Sequence, residues 1–216
     1  MNSRTTTGLV AGAAGAALLV GGGTFALWSD SATVEGATIT SGNLDVELVG
    51  EPQWQDVSAD RADNPHVIDL ETFRIVPGDT IEGRYGIDAA LEGDNMVAAL
   101  GLAVGEASGE LIAAEDGVSV TYSLVDADGA PVGDVTDIAA GETVEVRFVS
   151  ADNSAKDPAL PVLPAELTGE AQYTVVVTAT FDEGTPEQVR TKAAADLAGL
   201  AVSLDQVRDE GVVDAS

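Results

Sequence analysis

The chain has no cysteine and one histidine, His66, among 216 residues. Without cysteine there is no disulfide, no thiolate metal site and no cysteine nucleophile. With one histidine, a His-Glu-x-x-His zinc helix cannot be written, and the multi-histidine ligand set of most catalytic zinc sites is out of reach. Aromatic residues are sparse: two Trp, three Tyr and four Phe, too few to line a sugar-stacking cleft generously. Bases are scarcer still relative to acids, 9 against 37, for a formal net charge of −28. Nucleic acid binding needs Lys and Arg against phosphate, and anionic lipid headgroups repel such a surface. No nucleic-acid partner is therefore expected, and membrane contact only during export. No Gly-x-Ser-x-Gly elbow occurs, and a Ser-His-Asp triad would have to use His66 itself. No catalytic residue and no cofactor follow from this sequence, and the chain reads as a non-enzyme.

What the chain does have begins at its amino terminus. Arg4 and the free amine are the only positive charges before an uncharged apolar stretch from Gly8 to Val20, and no acid occurs until Asp30. A positive end, an apolar middle and a small-residue exit form the layout of a secretory signal. Gly8 to Leu27 is also about the length that spans ~30 Å of hydrocarbon, so a retained anchor is the competing reading. Two features oppose it. The glycines Gly8, Gly12, Gly15 and Gly21 to Gly23 each cost about 0.8–1 kcal/mol in a helix relative to alanine. No basic stop-transfer cluster follows either; Ser29, Asp30 and Ser31 do. A secreted, extracellular or cell-surface location is expected.

Beyond Gly36 the sequence alternates. Leu44, Val46 and Leu48; Val118, Val120, Tyr122 and Leu124; Val144, Val146 and Phe148; Tyr173, Val175, Val177, Ala179 and Phe181; and Leu200, Val202 and Leu204 each sit at a period of two. That is the signature of half-buried strands. Turn signals separate them at Pro77-Gly78-Asp79, Asp116-Gly117, Asp128-Gly129, Ala140-Gly141-Glu142 and Asp182-Glu183-Gly184. Asp128-Gly129 predicts a hairpin between Val118–Val125 and Val132–Ile138. The polar run Glu51 to Asn64 reads as loop, and His66 as a surface loop residue. Ser150 to Glu166, with Pro158, Pro161 and Pro164, reads as a long irregular excursion. Thr185 to Leu197 reads as room for a short helix. The fold expected is all-β, a two-sheet β-sandwich of jelly-roll or immunoglobulin-like type, preceded by a signal-peptide helix. The corresponding domains are a signal peptide at 1–27, an extended segment at 28–35, a sandwich at 36–208 and a frayed tail at 209–216.

Two blocks carry a resemblance. Thr24-Phe25-Ala26-Leu27-Trp28-Ser29-Asp30 follows a glycine-rich exit, and Thr40-Ser41-Gly42-Asn43-Leu44-Asp45-Val46 follows in strand-like sequence. Their patterns and spacing resemble the SipW-dependent exported proteins, the TasA/camelysin-like family of Gram-positive surface and biofilm-matrix proteins. The tight match covers about the first 50 residues. The resemblance implies cleavage by a signal peptidase of SipW type near Ala26, Leu27 and Trp28, with Leu27–Trp28 as the expected bond. It favours a jelly roll. It also implies that Trp28–Glu35 leaves its own subunit and completes a sheet in the next copy, head-to-tail, giving fibres. Trp28, Ala32 and Val34 would share one strand face, with Asp30 the polar exception. The metalloprotease label carried by camelysin relatives finds no zinc motif here.

Other readings stay open at this stage. The segment is also readable as a flexible stub or an ordinary edge strand. The chain is also readable as a monomeric secreted binding module, with calcium or protein as ligand. Asp126, Asp128 and Asp134 around the hairpin are weak calcium candidates, against the plainer reading of an Asp-Gly turn. The acidity itself is readable as a device that keeps copies apart until salt, acid or divalent cations intervene, or as general compositional bias or adaptation to salt.

Overall fold

The computed structural model describes residues 33–34, 37–38, 41–110, 112, 117–154, 157–185 and 199–207. The expected leader, most of the 28–35 segment, the helix expected after Thr185 and the carboxy-terminal tail lie outside them. The strands are β1 Thr33–Val34, β2 Ala37–Thr38, β3 Asn43–Asp56, β4 His66–Val67, β5 Thr80–Glu92 and β6 Val97–Val104, then β7 Val118–Asp126, β8 Ile138–Ala139, β9 Thr143–Ser150, β10 Val162–Leu163, β11 Tyr173–Phe181 and β12 Leu200–Val207. The chain divides into two units between Ser41 and Gly42. In the first, β1 and β2 pair antiparallel, Thr33 with Thr38 and Val34 with Ala37.

The second unit is a two-sheet β-sandwich. Its larger sheet runs β4-β3-β5-β11-β7-β8, and its smaller sheet β10-β9-β6-β12. Every pairing is antiparallel except β10 with β9, which is parallel. The core lies between the sheets. Ile87, Leu91, Tyr122, Leu124, Val175, Val177 and Phe181 face Ala98, Leu100, Leu102, Val104, Val146, Phe148 and Leu204 across it. Phe148 and Tyr173 meet edge-to-face, ring centroids 5.0 Å apart, and so tie the sheets together. The Tyr122 hydroxyl, at the buried end of its ring, donates to the Glu142 carbonyl at 2.8 Å. This partner satisfies a polar group that burial would otherwise penalise.

The alternating segments fall in β3, β7, β9, β11 and β12, as their period requires. Three sequence readings are corrected. Glu51 to Asp56 is not loop; after an irregularity between Val49 and Gln53, β3 resumes its pairing with β5. His66 is not in a loop; it pairs with Asp56 as part of β4 and is half-buried. The hairpin at Asp128-Gly129 closes, with Gly129 at φ 81° and its N–H on the Asp126 carbonyl at 3.0 Å. Its return arm, however, is irregular, and within it only Ile138–Ala139 forms a strand. The Ser150–Glu166 excursion holds β10 and otherwise turns and bends.

Candidate functional site

The expected donor segment and the strand that follows it form the region of interest. Ala26, Leu27, Trp28, Asp30 and Ala32 lie outside the described residues. Val34 lies in β1.

Gly42 is where the sandwich begins. Any side chain there would strike the Glu92 backbone carbonyl, and Met96 Cε lies 3.2 Å from the same point. Gly93, at φ 145°, stands opposite, with the Gly42 Cα 4.0 Å from where its own side chain would be. Only glycine allows this approach. The chain is thereby clamped onto the turn between β5 and β6 as it enters β3. Leu44 and Val46 then pair with Leu91 and Ala89 on the core-facing row, while Asn43 Nδ2 donates to Asp45 Oδ2 at 2.7 Å on the exposed row. The Gly-Asn-Leu-Asp-Val block thus encodes one close backbone approach and one strand register.

β3 is the outermost long strand of its sheet. β4 covers it only at Gln55 and Asp56. From Asn43 to Val49 its other edge has no strand partner among the described residues. β12 of the other sheet lies beside β3 without ladder bonds between them. The core is thinly closed at this seam. Leu44 and Val46 are half-buried, and Leu48 is 53% exposed although its partner across the strand pair, Ile87, is wholly buried. Gly50, at φ 76°, and Pro52 end this stretch. Proline removes a ladder donor and the bulge bends the strand, both familiar guards of a sheet edge. Past the bulge, the Trp54 ring lies flat over Gly83, leaving no room for a side chain there.

The end of β3 carries a polar knot. Asp56 is buried and accepts from the Ser58 amide at 2.9 Å and the Ser58 hydroxyl at 2.5 Å. Ser58 Oγ in turn accepts the Thr80 N–H at 3.0 Å. Burial pushes the Asp56 carboxyl up, but the Ser58 hydroxyl and amide, with the His66 and Arg61 charges, outweigh it and hold it below the usual value. His66 Nδ1 makes no hydrogen bond and lies 3.7 Å from Asp63. The Ser58 hydroxyl thus ties Asp56 to the start of β5.

The weak calcium candidates part company. Asp126 Oδ1 accepts the N–H groups of Asp128 at 3.0 Å and Ala130 at 2.8 Å, so this carboxylate caps its own turn. Asp128 and Asp134 are exposed. Among the described residues no group of three or more His, Asp or Glu side chains is arranged to hold a metal ion.

A buried carboxylate that the sequence reading missed is Asp88, on the outer row of β5. It accepts from Gly169 N at 2.6 Å, Gln172 Nε2 at 2.5 Å and Thr168 Oγ1 at 3.3 Å. It holds the loop before β11 against the sheet, and nothing in its local sequence singles it out from the chain's other acids. No family model matches the chain, and neither a curated relative nor a solved structure matches it.

Proposed function

We propose that the mature chain is a secreted, non-enzymatic structural subunit of the cell surface or extracellular matrix. It associates with copies of itself head-to-tail through the segment after the leader, Trp28–Glu35. The leader-like first 27 residues and the resemblance to SipW-dependent exported proteins support export and processing by a signal peptidase of that type. One observation carries the self-association reading. The sandwich is a unit of its own that begins at Gly42, and among the described residues its core is built from Leu44 onward. A strand left over from one domain satisfies its N–H and C=O groups by joining an open edge of another. Because donor and acceptor surfaces differ, the contact repeats without closing and builds filaments.

Electron microscopy of residues 28–216, beside the same chain lacking Trp28–Glu35, tests this. Filaments are expected from the first and only single particles from the second. Filaments from both would defeat the reading.

A further inference from the structure

We infer that Met96 is a redox-sensitive latch on the start of β3. Oxidation of its thioether to the sulfoxide by a peroxide releases the strand entry, Gly42 to Val46, while the rest of the sandwich holds.

The entry to β3, the turn between β5 and β6 and the end of β9 meet at one point. The turn is fixed from the β9 side. The Met96 N–H donates to the Gly93 carbonyl at 3.1 Å, and the Met96 carbonyl accepts the Ser150 N–H at 3.1 Å. The Ser150 hydroxyl donates to the Gly93 carbonyl, and Asn153 Nδ2 reaches the Met96 carbonyl at 3.5 Å. Ser150 and Asn153 are wholly buried. From the other side the entry to β3 presses on the Met96 side chain. A side chain at Gly42 would meet Met96 Cε at 3.2 Å, and one at Gly93 would meet the same methyl at 3.6 Å and Met96 Cβ at 3.3 Å. The thioether thus fills the gap between two glycine backbones and packs against the core. An unbranched, apolar and adaptable side chain suits such a gap.

The chemistry is the transfer of one oxygen atom. The Met96 sulfur gives two electrons to the O–O bond of hydrogen peroxide, that bond breaks, and one oxygen stays on sulfur as S=O. The other oxygen leaves as water with both protons of the peroxide. The oxidant can reach the site: Met96 is half-buried, and Glu92, Asp94 and Asn95 beside it are exposed. No thiol competes, because the chain has no cysteine, and Met1 is the only other methionine. The sulfoxide is larger and polar, and close-packed backbone leaves it no room. The turn cannot retreat, because Ser150 and Asn153 hold it. The strand entry can, since Asn43 is exposed and Leu44 only half-buried. Reduction of the sulfoxide restores the thioether and closes the latch.

The full chain treated with hydrogen peroxide, followed by peptide mass mapping and hydrogen exchange, tests this. One added oxygen on the Met96 peptide is expected, with loss of amide protection over residues 43–46 and unchanged protection in β7 and β11. Methionine sulfoxide reductases for both epimers should remove the oxygen and bring the protection back. Met96→Leu, an apolar swap of similar volume, is expected to keep its protection in peroxide. Met96→Gln, polar from the outset, should lose protection over 43–46 without any oxidant. Four results would overturn the latch: oxygen on Met96 with protection over 43–46 intact or lost equally from β7 and β11; the same loss in peroxide-treated Met96→Leu; protection that stays lost once the oxygen is removed; or a Met96 that remains unoxidised in peroxide that oxidises Met1.

Discussion

Gly42 and Gly83 show how single residues set this domain's geometry. A side chain at Gly83 would lie 2.6 Å from the Trp54 ring, and the interior is packed too densely to yield without strain. Gly83→Val should destabilise the sandwich by about 1–3 kcal/mol through overpacking, read as a lower urea midpoint at unchanged slope. Asp88→Ala should cost on the order of 2–3 kcal/mol, because it strands the Gly169 and Gln172 donors in a buried site; Asp88→Asn should recover part of that. Acid should act through Asp56. Its folded-state carboxyl sits below the ordinary 3.8, so it contributes stability above that value, and the contribution is lost as pH falls through the folded value. Asp79 runs the other way. Burial, opposed by the Val76 amide and reinforced by Asp56 and Asp60, raises it, so its protonation favours the folded state. Melting curves from about pH 5 down to about pH 2.5 should fall less steeply for Asp56→Asn than for the wild type. An unchanged slope would show that the Ser58 contacts do not bias this titration. None of these residues announces its role in the sequence. One glycine among 24, or one acid among 37, is told apart only by what the fold brings against it.

At the scale of elements, legibility followed burial. β7, β9 and β12 bury one row more than the other, and their alternation is plain in the sequence, as is that of β11 although its outer row is largely covered too. β6, Val-Ala-Ala-Leu-Gly-Leu-Ala-Val, shows no alternation because both its faces are largely covered. Val97 and Ala99 on its outer row are nearly as buried as Leu100 and Leu102 on its inner row. β5 is hidden for a related reason: Ile87 to Leu91 is buried without a break, and Gly83 and Gly86 interrupt the pattern before it. A continuous apolar run cannot be resolved by periodicity alone, so β5 and β6 escaped the reading, while β11 and β9, equally central in their sheets, keep their alternation in sequence. The polar stretch after Gly50 misled in the opposite sense, since Gln53 is exposed and Gln55 half-buried on the outer row of β3 while Trp54 and Asp56 turn inward. That β3 is the outermost long strand of its sheet among the described residues was not legible at all. Which strand ends a sheet is decided by pairing partners distant in sequence. One prediction belongs here. Gly50→Ala should destabilise the bulge by about 1 kcal/mol, since its φ of 76° lies in the left-handed region.

Over the whole molecule, charge opposes the proposed assembly. With a formal charge of −28, two copies repel until screened. Raising ionic strength from about 0.01 M to about 0.15 M shortens the screening length from about 30 Å to about 8 Å and should speed filament onset. Of the described bases, Arg61, Arg74 and Arg84 lie between β3 and the middle of β5, with Arg147 on β9. Arg61 and Arg84 are already paired with Asp63 and Glu82, so local neutralisation is limited and bulk salt should dominate. The claim on which everything else depends is that Trp28–Glu35 joins copies of an otherwise finished domain. Sedimentation velocity at about 0.15 M salt compares residues 28–216 with residues 36–216 most directly. Large, concentration-dependent species from the first and a monomer from the second, both with the same thermal midpoint, are the predicted result; a monomer from both, or equal assembly by both, would contradict it.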